Sequence, residues 1–273
     1  MKKWVYNMLI ILFVAVFLIS AGYLGYYYLQ SYQQAKSYDS LAELRTADTP
    51  TPRPAIGQGD PDTEIPPAQL VEVTDPKTGQ PVLLLPEFVQ LYTMNNDMVG
   101  WLSIPGVAID YPVMQTPDRI DYYLKRNFQK QSSKHGCLYA REACDVVTPS
   151  DNVTIYGHHM RDGSMFGKLE DYTQLSFYEA HPYIYFDTLT ALHTYQILAV
   201  FTTTATEGEG FAYHTFVNAA HQAEFDAFVD TCKELAFYDT GVDAQWGDKL
   251  ITLSTCEYSQ TNGRLVVVAK RIA

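Results

Sequence analysis

Residues 249–269 read KLITLSTCEYSQTNGRLVVVA: an apolar run that stops at Cys256, a polar loop, and a second apolar run that begins at Arg264. Strand alternation places Leu250, Thr252, Ser254 and Cys256 on one face and Ile251, Leu253 and Thr255 on the other. Asn262-Gly263 is a strong turn signal, and the loop is short enough to predict an antiparallel hairpin. Such a hairpin brings Cys256 and Arg264 to the same rim. A guanidinium beside a thiol favours the thiolate and also donates hydrogen bonds to an oxyanion, so the pairing suits a cysteine nucleophile.

Working outward, further short runs read as strands: 100–104, 107–113, 136–140, 152–156, 183–186 and 194–201. Interposed helical patterns are too few for regular βαβ alternation. The expected fold is therefore mainly β with added helices: a closed barrel of about eight strands, an N-terminal helix, and a helix in the insert before the cysteine strand. A short helix is also expected from Pro86, with Phe88, Leu91 and Tyr92 on one side. The run at 152–156 ends in Tyr156-Gly-His-His159, again at a rim, and a nucleophilic cysteine needs a histidine to move protons. Cys232 sits at helical spacing with Phe225, Phe228, Val229 and Leu235 and reads as core. Cys137 and Cys144 are left open as a pair. No CxxC and no carboxylate cluster suggest a metal.

The N-terminus sets the compartment. Lys2 and Lys3 precede the uncharged apolar run 8–24, flanked by Trp4, Tyr6 and Tyr26 to Tyr28, which together reach the roughly 20 residues that span a bilayer. The lysines are expected to stay cytoplasmic and the remainder to be exported. A cleaved signal peptide ending near Ser20-Ala21-Gly22 is the competing reading. Residues 1–29 are thus read as cytoplasmic tip and anchor, 30–83 as stalk and Pro-rich linker, and 84–273 as the catalytic domain. The formal net charge of −12, without a basic patch, excludes nucleic acid as a partner.

Thr252-Leu-Ser-Thr-Cys256, Gly263-Arg264 and Tyr156-Gly-His158, with Asn96-Asp-Met-Val-Gly-Trp101, Tyr122-Tyr-Leu124 and Gly163-Ser-Met-Phe166, resemble the signature of sortases, the membrane-anchored cysteine transpeptidases of Gram-positive bacteria. The TLSTC form and the insert at about 204–247 are similar to class B. The resemblance implies that Cys256 attacks the threonine carbonyl of a sorting motif near the C-terminus of a secreted protein. An amine of a peptidoglycan precursor or a pilin lysine then resolves the thioacyl enzyme. By the same resemblance His158 is the acid/base, Arg264 holds the oxyanion, and His159 is the dispensable neighbour. Leu124, Ser254, Thr255 and Glu257 are candidate substrate contacts, and no metal or organic cofactor is implied. Where class B enzymes often carry Asp-Asn before the Tyr-Tyr-Leu segment, this chain has Arg119-Ile120.

Rival readings remain. Ser133-Lys-His-Gly-Cys137 superficially resembles the SHGC segment of L,D-transpeptidases, but Lys134 intrudes and Leu138 replaces an arginine. A cysteine hydrolase would resolve the same acyl enzyme with water. A non-catalytic membrane-tethered binding domain would carry no reactive thiol.

Overall fold

The computed structural model describes residues 3–47, 53, 69–206, 208–258 and 262–273. The chain divides into two units, Met1–Leu41 and Ala42–Ala273. The first is carried by α1 (Lys3–Ala47), and it is the one helix among the described residues long and apolar enough to cross a membrane. Phe13, Phe17 and Ile19 are exposed along it.

In the second unit an antiparallel hairpin of β1 (Val71–Thr74) and β2 (Pro81–Leu84) comes first, inside the stretch read from sequence as stalk and linker. Asp75-Pro-Lys-Thr-Gly79 turns between the two strands, with Gly79 at φ +69°. A 3₁₀ turn at Pro86–Phe88 runs into α2 (Val89–Met94), and Phe88, Leu91 and Tyr92 are buried as their spacing predicts.

Eight strands then close a mixed barrel: β3 (Met98–Ser103), β4 (Asp110–Met114), β5 (Leu138–Ala140), β6 (Asn152–Tyr156), β7 (Tyr183–Thr188), β8 (Thr194–Thr204), β9 (Leu250–Cys256) and β10 (Gly263–Arg271). Around the barrel the order is β10, β8, β7, β3, β4, β5, β6, β9. The pairs β4–β5 and β6–β9 are parallel, and the others are antiparallel. Short α3 (Leu175–Ala180) lies between β6 and β7, and α4 (Gln222–Leu235) is in the insert between β8 and β9.

This insert explains why β8 to β10 read as nearly continuous apolar runs. One face fills the barrel; on the other, Leu198, Phe201, Val266 and Val268 lie in one cluster with Tyr213, Phe216, Phe225, Phe228 and Cys232. Burying each of these large side chains is worth about 1.5–3 kcal/mol, so the insert helix doubles as a second core.

Two buried carboxylates fasten the surrounding segments. Asp97 accepts from the Tyr123 hydroxyl at 2.8 Å and pairs with Lys130 at 2.9 Å and with Lys77 of the β1–β2 turn. Burial opposes its charge, but Lys77, Lys130 and Tyr123 outweigh burial and hold the carboxyl below its ordinary value. At the opposite rim from Cys256, Asp187 is fully buried and pairs with Arg45 at 2.9 Å and Arg53 at 2.5 Å. Arg45 also lies over the Trp101 ring and Arg53 over Tyr185.

Candidate active site

The hairpin predicted from sequence is present, with Cys256 directly opposite Arg264. The Glu257 amide donates to the Gly263 carbonyl, so Glu257 and Gly263 form a hydrogen-bonded pair and Cys256 and Arg264 the adjoining non-hydrogen-bonded pair. In that kind of pair Cα atoms are only about 4.5 Å apart and side chains lie closest. Arg264 Nη1 donates to the carbonyls of Asn262 at 3.2 Å and Gly263 at 2.9 Å, so the guanidinium is anchored to the loop that carries it.

His158 reaches the same rim because β6 runs parallel to β9, with Tyr156 opposite Ser254 and the Gly157 amide donating to the Ser254 carbonyl at 3.1 Å. Gly157 is required by space: a Cβ there would sit 2.5 Å from Leu138 Cδ2 and 2.6 Å from Phe166 Cδ2, both in fully buried side chains. Gly157→Ala is therefore expected to cost about 1–3 kcal/mol and to displace His158, read as a lower melting temperature together with reduced turnover.

His158 Nε2 is 2.7 Å from the carbonyl oxygen of Leu124. A carbonyl only accepts, so Nε2 carries the proton in this contact and Nδ1 is the basic nitrogen of the neutral ring. Leu124 belongs to the 3₁₀ turn Tyr122–Lys125, held to the barrel through Tyr123 and Asp97. A main-chain oxygen thus stands where other cysteine enzymes place an orienting side chain.

Cys256, His158, Arg264, Leu124, Ser254 and Thr255 border one cavity of about 510 Å³. The Ser254 hydroxyl is shared with Tyr213 at 2.5 Å, and that of Thr255 donates to the Gly157 carbonyl at 2.8 Å, so both also hold the cavity wall together. Glu257 departs from the expectation. It lines a separate cavity of about 430 Å³ with His159, Glu170 and Tyr258 instead.

Tyr213, His214 and Arg141 also line the cavity that Cys256 and His158 border; the sequence alone does not place them there. Burial, then the Arg141 and Arg264 guanidiniums, hold His214 below the ordinary histidine value. Its carbonyl accepts from Arg141 Nη1, which ties β5 to the insert. None of the four cysteines is in a disulfide; Cys137, Cys144 and Cys232 are buried and Cys256 is half-buried. Burial pushes the Cys144 and Cys232 thiols upward. Among the described residues no group of three or more His, Cys, Asp or Glu is placed to hold a metal ion.

Residues 102–272 match the family model described as a Sortase domain. The chain is 33% identical over 189 residues to sortase B of Staphylococcus aureus strain NCTC 8325 / PS 47, covering 68% of this chain and 75% of that relative. It is 32% identical over 188 residues to sortase B of Listeria monocytogenes serovar 1/2a strain ATCC BAA-679 / EGD-e, covering 68% and 74%. Its fold is similar to that of a Staphylococcus aureus sortase B–substrate complex, with TM-score 0.70, 26% identity, and coverage of 89% of this chain and 98% of that one. It is likewise similar to Bacillus anthracis sortase B in complex with AAEK1, with TM-score 0.66, 27% identity, and coverage of 90% and 99%.

Proposed function

The chain belongs to the sortase family and is a cysteine transpeptidase of the sortase B kind, and from that premise we propose that Cys256, His158 and Arg264 carry the reaction on a C-terminal sorting motif of secreted proteins. The observation that supports this most directly is the pairing of Cys256 with Arg264 on the rim of the cavity that His158 also borders.

In the acylation step the Cys256 thiolate attacks the carbonyl carbon of the motif's threonine. The resulting oxyanion accepts hydrogen bonds from Arg264, and a protonated His158 gives its Nδ1 proton to the departing amine. The products are a thioester on Sγ and a released C-terminal peptide. An incoming amine then attacks the thioester, His158 Nδ1 takes its proton, and the thiolate leaves. The Leu124 carbonyl keeps Nε2 protonated through both steps, so Nδ1 alone shuttles. The amine belongs to a peptidoglycan precursor or a pilin lysine.

We place α1 in the membrane with the N-terminus cytoplasmic and the barrel outside. At about 1.5 Å per residue the 45-residue helix is far longer than the roughly 30 Å hydrocarbon layer, which leaves its later, polar turns as a stalk.

The full chain in detergent, incubated with a panel of sorting-motif peptides with and without an amine acceptor, tests the reading by peptide-mapping mass spectrometry. The expected result is an acyl adduct on Cys256 that the amine discharges as a ligated product. An adduct on Cys137, or hydrolysis with no ligation at saturating amine, would overturn the site or the reaction respectively.

A further inference from the structure

Building on the assignment of Cys256 as nucleophile, we infer that His159 is a positioning residue that extends the β6–β9 ladder one rung past its last backbone bond and holds the Cys256 peptide level with His158. From sequence His159 is the dispensable neighbour of His158, but its contacts give it this separate role.

Cys256 and Arg264 form a non-hydrogen-bonded pair, so the Cys256 carbonyl turns away from β10 and towards β6. Two residues earlier the Ser254 carbonyl faces the same way and accepts from the Gly157 amide. The next backbone donor in a parallel ladder would be the amide two residues after Gly157, but β6 has ended at Tyr156 and the chain turns off. The side chain of that residue takes the rung instead, with His159 Nδ1 3.1 Å from the Cys256 oxygen. The carbonyl only accepts, so Nδ1 is the donor.

The ring is held from two further directions. Glu170 Oε2 lies 3.3 Å from Nε2 and accepts from it only when the ring carries both protons, while in either state the Tyr258 ring meets the imidazole edge-on at 5.2 Å and its hydroxyl donates to the His159 carbonyl at 3.3 Å. The His159 side chain is only 13% exposed, so this bond is largely shielded from competing water.

His159 lines the cavity on the far side of the hairpin, not the one that Cys256 and His158 share, so its loss should move the nucleophile without removing a substrate contact. The signature is a fall in kcat with KM preserved. A hydrogen bond of ordinary net strength corresponds to about tenfold in an equilibrium. Asparagine can place an amide nitrogen near the position of Nδ1 and so tests the hydrogen bond apart from the ring.

The experiment compares the full chain in detergent as wild type, His159→Ala, His159→Asn and Cys256→Ala, by deuterium exchange over residues 253–258 and by sorting-peptide kinetics with an amine acceptor. His159→Ala should exchange about tenfold faster there and lose about tenfold in kcat, with KM within about twofold, and His159→Asn should return both towards wild type. Unchanged exchange in His159→Ala, a loss confined to KM, or an Asn variant no better than Ala each overturn the inference. Should His159→Ala exchange globally because it does not fold, the Asn variant decides alone: recovery of exchange and kcat supports the rung, and failure overturns it. If the wild type processes no peptide, the proposed function fails, and the exchange measurement still decides whether the rung exists.

Discussion

On the proposed mechanism Cys256→Ala should abolish acyl transfer, by at least about 10⁴-fold in kcat, because among the described residues Cys256 is the one thiol lining the cavity. If Arg264 holds the oxyanion as proposed, Arg264→Ala should lose about 10²–10³-fold, the usual consequence of withdrawing an oxyanion donor from a shielded site. The two losses should not add, since an oxyanion partner has nothing to stabilise once the nucleophile is gone. Arg264→Lys is the sharper control. Arg264 spends Nη1 on the Asn262 and Gly263 carbonyls, and its remaining N–H donors sit on the same rigid plane, aimed by that anchorage. A lysine ammonium keeps the charge without the plane, so Arg264→Lys should recover only part of the loss. Steady-state kinetics with a sorting peptide and an amine check the series; full recovery by lysine would reduce the role of Arg264 to charge alone.

Arg45→Ala combined with Arg53→Ala should destabilise the barrel by about 3–5 kcal/mol at neutral pH, because it strands the buried Asp187 carboxylate. In the native fold burial pushes the Asp187 carboxyl upward, while Arg53 and Arg45 pull it back. Without them the folded value rises further above the unfolded one. A carboxyl with a raised folded value contributes stability that is fully present below the unfolded value, about 3.9, and is lost as pH rises through the folded value. The deficit of the double variant against wild type should accordingly be greatest near pH 7 and shrink on acidification. Asp187→Asn added to the double variant should restore part of the stability at pH 7. Denaturant melts of the full chain at two pH values measure this, and a deficit independent of pH would assign the effect to lost packing over Trp101 and Tyr185 instead.

The parts of the fold legible in the sequence were those encoded locally. Asn262-Gly263 and strand alternation located the hairpin to within a residue, and the register put Cys256 opposite Arg264. The eight barrel strands were legible as short apolar runs between turns, with edges off by a few residues at β4 and β8. The β1–β2 hairpin went unread because the prolines upstream coloured the whole stretch, although Asp75-Pro-Lys-Thr-Gly79 is itself a turn signal.

Within the site, the residues not placed from sequence are Arg141, which directly follows β5, and two delivered by a long connection. Tyr213 and His214 come from the insert, and no periodicity connects an insert to a strand end. Glu257 was placed beside Cys256 by sequence adjacency alone, whereas it lines a separate cavity with His159 and Tyr258. His159 was underread for a related reason: its partner is a main-chain oxygen, which carries no sequence signal.

The parallel pairing of β6 with β9 also bears on when the enzyme becomes reactive. Cys256 and Arg264 meet through a short local loop, but Gly157 and Thr255, which tie the histidine strand to the cysteine strand, are 98 residues apart. Closing a loop of that length costs about 2 kcal/mol more than closing the hairpin, and non-local parallel pairing is slow to form. Loop-closure cost alone therefore favours the thiol and its guanidinium meeting before the histidine strand joins them. A chain with the hairpin formed and the β6–β9 pairing still open would hold Cys256 and Arg264 together without His158 beside them.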